Sequence, residues 1–179
     1  MDWADFRAGF SIVQLDKNMT WASRPILSVE LGDWDLRSAV LTGKQRRLEK
    51  YLIYATELGL RGILKAQKDG KNVTRSLILA DMDGFSFQTH ACPVCVSLLV
   101  GWVLTMETYY PNFIDEIIVV NSPSFGVAVV NTIKSFMSPQ TRNLIKIFDH
   151  NKNLWIKYLD ARIDRNQRPL RYGGTRTEN

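Results

Sequence analysis

Histidine and cysteine are scarce in this chain, with two of each in 179 residues. His90 and His150 stand apart, and neither lies in a Gly-x-Ser-x-Gly or other nucleophile setting, so each is expected to be structural. There is no Gly-x-x-x-x-Gly-Lys phosphate loop and no Gly-x-Gly-x-x-Gly. The N-terminus carries two acids before its first basic residue and no apolar h-region, so no secretory signal is expected. The expected location is the cytoplasm. The one candidate membrane span, residues 91–106, is an uncharged run of sixteen. A span needs roughly 18–20, so this run reads as a buried core helix. No repeat, low-complexity tract or linker divides the chain, and 20.5 kDa fits one domain with a sizeable core.

Cys92-Pro-Val-Cys95 is the sharpest chemical motif. Such a pair at a helix N-terminus can support thiol–disulfide exchange, because the helix dipole lowers the first thiol's pKa. The same residues also serve as small buried hydrophobes in an apolar helix. A thiol-disulfide oxidoreductase using Cys92 and Cys95 is therefore the least favoured alternative. With no second Cys pair and no neighbouring His-x-His, the pair is a poor zinc site, and no metal is expected. Asp81 and Asp83 could form a carboxylate pair or a metal turn, but Asp-x-Asp-Gly is also ordinary strand-to-loop sequence. No nucleophile, base and oxyanion site assemble, so no catalytic residue is assigned and the protein is read as non-enzymatic.

Charge is unevenly placed. From Lys134 onward there are ten Lys/Arg against four Asp/Glu, while the preceding residues carry thirteen against fourteen. Spread-out basic charge without a recognised motif gives no reason to expect a nucleic-acid partner. It would suit either solvent or anionic lipid headgroups, the latter worth about 1 kcal/mol per basic residue.

The most informative stretch is residues 116–136. An apolar run at 117–120 fits a strand covered on both faces. Ser122 suits an N-cap and Pro123 the first helical position. The helix that follows has almost no polar face, so it is either buried all round or lies against something apolar that is not protein. Further strands are read at 26–31, 75–80, 144–148 and 168–172. Thr42-Gly-Lys-Gln45 reads as a capping box. It would open a long helix on which Leu48, Tyr51, Leu52, Ala55, Leu58, Gly62, Ile63 and Ala66 recur at three and four residues. Ser138-Pro139 repeats the cap-then-proline device. Helices alternating with strands imply an α/β domain with a mostly parallel sheet covered by helices.

Taken in order, several pieces resemble a CRAL-TRIO lipid-binding domain. They are Arg24-Pro25, Asp81 with Gly84, Tyr110-Pro111, Asn121-Ser122-Pro123 with Phe125, Ser138-Pro139-Gln140-Thr141, and Arg168-Pro169 with Tyr172-Gly173-Gly174-Thr175. The last group resembles the animal branch that includes supernatant protein factor and tocopherol-associated proteins. The resemblance implies a parallel sheet as the floor of an apolar pocket, with residues 125–136 as a mobile gate. It implies no catalysis and no cofactor beyond a bound lipid. Residues 1–15 are then a remnant of the family's N-terminal helical region, 16–175 the lipid-binding domain and 176–179 a tail; the family's C-terminal GOLD domain is not expected here.

Alternation on strands and helical faces gives a candidate pocket of Ser76, Ile78, Leu98, Leu99, Trp102, Val119, Phe125, Val129 and Ile133. Lys134, Arg142 and Lys146 would face a membrane during transient association. Phosphatidylinositol binders of the family carry a Glu and a Lys where this chain has Asn112 and Leu144. Phosphatidylcholine binders carry two hydroxyls where it has Ser76 and Ile78. A pocket poor in charge favours a weakly polar lipid such as squalene, a tocopherol-like isoprenoid or an acyl lipid, because an unpartnered buried charge is costly. A ligand-free scaffold for protein interaction is the alternative reading.

Overall fold

The computed structural model describes residues 3–15 and 25–177. In chain order it runs α1 (Ala4–Gly9), β1 (Ile12–Gln14), β2 (Ile26–Glu30), α2 (Leu36–Leu41), α3 (Gln45–Lys68), β3 (Ser76–Asp81), α4 (Phe87–His90), α5 (Pro93–Tyr109), β4 (Ile114–Val120), α6 (Ser124–Ser135), α7 (Pro139–Asn143), β5 (Ile145–Ile147) and α8 (Lys152–Asp160). Arg24 of the Arg24-Pro25 pair, and residue 16 where the main domain was expected to begin, lie outside the described residues. The strands form one sheet in the order β1-β2-β3-β4-β5. Among the described strands only β1 is antiparallel to its neighbour. The α/β class and the mostly parallel sheet are therefore as the sequence implied.

Apolar side chains leave β3 and β4 on both faces, as expected for strands covered twice. Leu77, Leu79, Ile118 and Val120 pack with Trp155 and Leu159 of α8, and with Ile163 and Tyr172 beyond it. Arg168 is fully buried on this segment. It donates Nη1 to the Tyr172 carbonyl at 3.0 Å and Nη2 to Asp160 Oδ1. The Tyr172 hydroxyl lies 3.1 Å from Ser28 Oγ of β2, which anchors the C-terminal segment to the sheet. The expected strand at 168–172 is instead a 3-10 turn, Leu170–Tyr172, beside a single Pro169–Arg176 bridge. Pro169 has no N–H to give to a ladder.

Local capping departs from expectation in two places. Thr42 does not open α3; its Oγ1 donates to the Ser38 carbonyl at 2.7 Å and closes α2. Lys44 occupies the N-cap of α3 without a side-chain bond, and Gln45 bonds Glu49 instead. Along α3 the buried stripe passes through Thr56 rather than Ala55, and Leu58 is exposed. At α6 the N-cap is Pro123, one residue later than Ser122. Asn121, with φ 55°, absorbs the turn before it. Ser138, by contrast, caps α7 as expected, with its Oγ accepting from Thr141 N at 3.2 Å.

On the N-terminal side, Trp3, Phe6 and Phe10 are buried. Trp3 stacks on Tyr54, Phe6 on Tyr51, and Phe10 meets Trp34 edge-on. Among the described residues no helix is long and apolar enough to cross a membrane.

Candidate functional site

The second face of the sheet is only partly filled. Between it and the covering helices lies a cavity of about 350 Å³. Its floor includes Val29 of β2, Ile78 and Ala80 of β3, Ile117 and Val119 of β4, and Ile145 of β5. Its roof is Leu99, Trp102, Val103 and Met106 of α5 with Val130 and Ile133 of α6. These positions follow from local geometry. Residues at 99, 102, 103 and 106 share one face of α5 by the three-and-four rule. The floor residues follow strand alternation. Ile114 also reaches the wall, out of phase with Ile117. The register shifts there, with Ser76 opposite Ile114 and Leu77 opposite Glu116, so Asp115 is an extra residue in β4. Such a bulge returns the following side chains to the same face.

Of the sequence-selected positions, Ile78, Leu99, Trp102, Val119 and Ile133 come together in the cavity wall, while Ser76, Leu98, Phe125 and Val129 lie outside it. Ser76 is fully buried and its hydroxyl donates to the Phe113 carbonyl at 3.3 Å. Leu98 packs into the cluster around Leu36 and Cys95. Phe125 stacks on Phe85 and meets Phe87 edge-on. Val129 joins the cluster of Ala80, Met82 and Met137. Trp102 is held by its Nε1 donating to Thr56 Oγ1 at 3.2 Å, which gives the polar residue on α3's buried stripe its purpose.

Residues the sequence reading missed include Val103, Met106, Ile117, Val130 and Thr141. The first four share helical or strand phase with residues it chose. Thr141 belongs to the Ser138 turn, whose role at a cavity mouth has no local sequence signal.

Helix α6 has more polar surface than its composition suggested. Gly126 alone is fully buried, while Ala128, Asn131, Thr132, Ser135 and Phe136 are exposed. The helix lies over the cavity as a roof whose exposed residues are uncharged. Lys134 is half-buried; Arg142 and Lys146 are exposed, and Lys146 Nζ donates to the Asn143 carbonyl at 3.4 Å.

One end of the cavity is polar. Arg75, Glu107, Tyr110, Asn112, Gln140 and Thr141 border it. Glu107 accepts from Ser138 N at 3.0 Å and from Ser138 Oγ at 2.9 Å. Burial pushes the Glu107 carboxyl up, but hydrogen bonds from Thr141 and Ser138 outweigh this and hold it below its ordinary value. Tyr110 donates its hydroxyl to Glu57 at 3.2 Å, and Gln140 Nε2 donates to Asn112 Oδ1 at 3.2 Å. Asn112 takes a φ of 61°, a conformation Asn tolerates better than most residues.

The other candidate groups stand apart from the cavity. Asp81 Oδ1 accepts from Asp83 N and from Asn121 Nδ2, both at 2.9 Å, so it organises a turn. His90 stacks on Phe85 at 4.5 Å, and its Nδ1 accepts from Ser86 N at 2.9 Å. Burial pushes its pKa down, in favour of the neutral imidazole. His150 is exposed. Cys92 and Cys95 are joined as a disulfide at the N-terminus of α5, with Cys95 fully buried. Among the described residues no group of three or more His, Cys, Asp and Glu could hold a metal ion.

Residues 13–174 match the family model described as the CRAL/TRIO domain. Over 126 residues the chain is 28% identical to Protein real-time of Anopheles gambiae, covering 70% of this chain and 18% of that protein. Over 154 residues it is 24% identical to Protein real-time of Drosophila melanogaster, covering 83% and 23%. The chain thus spans about a fifth of the length of these curated relatives. A crystal structure of Sfh5 superposes with a TM-score of 0.73 over 98% of this chain and 57% of that one, at 19% identity, which is a likeness of fold.

Proposed function

The chain belongs to the CRAL/TRIO domain family, typically lipid-binding and lipid-transfer proteins, and from that premise we propose that it binds a hydrophobic lipid in the cavity and carries or presents it at membranes without catalysis. The observation that supports this best is the apolar cavity of about 350 Å³ roofed by α6. A concave, largely apolar site with a few polar groups at one end is the usual form of a small-molecule pocket. Helix α6 would act as the gate. Its most exposed residues carry no charge, and Phe136 and Phe87 beside it are 55% and 67% exposed. Those rings would enter the bilayer surface while Lys134 and Arg142 meet anionic headgroups. Lys146, expected in the same role, alternates with the floor residue Ile145 and stands with Glu116 and Arg162 on the other side of the sheet. Docking and lid opening would then be one event, in the cytoplasm at a membrane surface.

The test is native mass spectrometry of the purified chain with extraction of bound lipid, followed by transfer between vesicles. A one-to-one lipid adduct and transfer are expected. Val130→Trp, which fills the cavity from the roof, should abolish both while the protein stays folded. A wild-type protein with neither adduct nor transfer would sink the proposal and favour the scaffold alternative.

A further inference from the structure

We propose that the cavity takes a single-tailed lipid with an anionic head, a carboxylate or a phosphomonoester, and that Arg75 reads that head. This rests on the lipid-binding function above and names its ligand class. Strands β3, β4 and β5 run parallel, so Arg75, Asn112 and Leu144, which precede them, stand at one end of the sheet. All three belong to the cavity wall. Asn112 and Leu144 alone suggested a pocket without charge. Arg75 brings one back to the same end.

Among the described residues of the wall, Arg75 is the only Lys or Arg and Glu107 the only Asp or Glu. Glu107 already accepts from the Ser138 amide and hydroxyl. Arg75 is loosely engaged: its nearest carboxylate, Asp115, is 3.7 Å away, and both side chains are partly open to solvent. A guanidinium presents a planar fork of donors that matches carboxylate and phosphate oxygens. Asn112 spends its Oδ1 on Gln140 and keeps its Nδ2 as a further donor at the same end. The cavity of about 350 Å³ lies near the lower limit of ligand pockets, roughly 300–1,000 Å³. That size suits one chain rather than two.

The test titrates cis-parinaric acid and cis-parinaryl alcohol, which share a tail and differ in the head, into the 179-residue chain at neutral pH. The acid is expected to bind about tenfold tighter, as one charge-assisted contact would give. Arg75→Gln should remove that preference by weakening the acid about tenfold, with a much smaller change for the alcohol. Competition by oleoyl lysophosphatidic acid stronger than by oleate assigns the head as phosphate; the reverse assigns it as carboxylate. Equal affinities for acid and alcohol, or a preference that survives Arg75→Gln, overturn the anionic head while leaving lipid binding intact. Stronger competition by dioleoyl phosphatidic acid than by its single-tailed counterpart overturns the single tail. Failure of the wild type to bind any probe overturns the lipid-binding function itself.

Discussion

Asn121 Nδ2 donates to Asp81 Oδ1 across 2.9 Å, joining the C-terminal ends of β3 and β4 just before the turn into α6. Both residues are nearly fully buried. Asn121 also holds a φ of 55°, so one residue supplies both the tie and the left-handed turn. Asn121→Ala should lose the bond and strain the turn, costing about 2–3 kcal/mol in urea unfolding. Asn121→Gly loses only the bond and should be about 1 kcal/mol less damaging. Equal effects would show that the backbone conformation contributes nothing.

Asp160 gives a pH-dependent test on the opposite face. Hydrogen bonds from Arg165, then from Arg168, hold its carboxyl down from 3.8 to about 2. A depressed carboxyl contributes stability that is fully present above the unfolded value and is lost as pH falls through the folded one. Stability should therefore decline between pH 4 and pH 2, and Asp160→Asn should remove that part of the decline. At neutral pH the same change leaves the fully buried Arg168 with its Tyr172 carbonyl contact but no carboxylate. Since Asp160 is itself a third exposed, the cost should sit near the lower end of the roughly 3–5 kcal/mol typical of broken buried pairs. Arg165→Ala, on the exposed side, should shift the unfolding midpoint far less.

The parts of the fold legible in the sequence were those set by local pattern. Helix α5 begins at Pro93 because Cys92 is in an extended N-cap conformation and proline suits the first turn. The apolar runs of β3 and β4 announced strands covered on both faces. The parts that were not legible depend on distant partners. Strand β1 is three residues long and exists through antiparallel pairing with β2. Thr56 enters the buried stripe of α3 because Trp102, far along the chain, donates to it. Ile114 and Ile117 share a wall only through the extra residue at Asp115. Arg75 carries no local signal of a cavity role: a residue before β3 becomes the neighbour of Asn112 and Leu144 only through parallel pairing.

Glu107 and Ser138 tie the C-terminal end of α5 to the segment between α6 and α7, where a roof helix would hinge. Glu107→Gln should weaken this tie. Faster amide hydrogen exchange is expected at residues 136–144, with a global loss of only about 1 kcal/mol. The wild-type carboxyl sits below its ordinary value, so the tie is fully formed above that value and weakens as pH falls through the folded one. Protection in this segment, measured against the intrinsic exchange rate at each pH, should therefore fall in acid for the wild type and stay flat for Glu107→Gln. An identical acid response in both would detach the segment's mobility from this carboxylate.

Gly126 sets how closely α6 can sit on the end of β3. A Cβ there would stand 2.9 Å from Met82 Cε and 3.0 Å from both Pro123 Cδ and Ser122 Oγ. Met82 can move its terminal methyl, but the proline ring one turn back cannot yield without shifting the helix start. Gly126→Ala should therefore be tolerated at a modest cost, since alanine favours the helix by about 1 kcal/mol and offsets part of the crowding. Gly126→Val adds branching at the crowded position and should hold α6 away from the sheet. In the gate reading this speeds release of a preloaded fluorescent lipid several-fold, with a far smaller change in unfolding midpoint. A Gly126→Val protein that releases lipid at the wild-type rate, though measurably less stable, would show that α6 does not control access to the cavity.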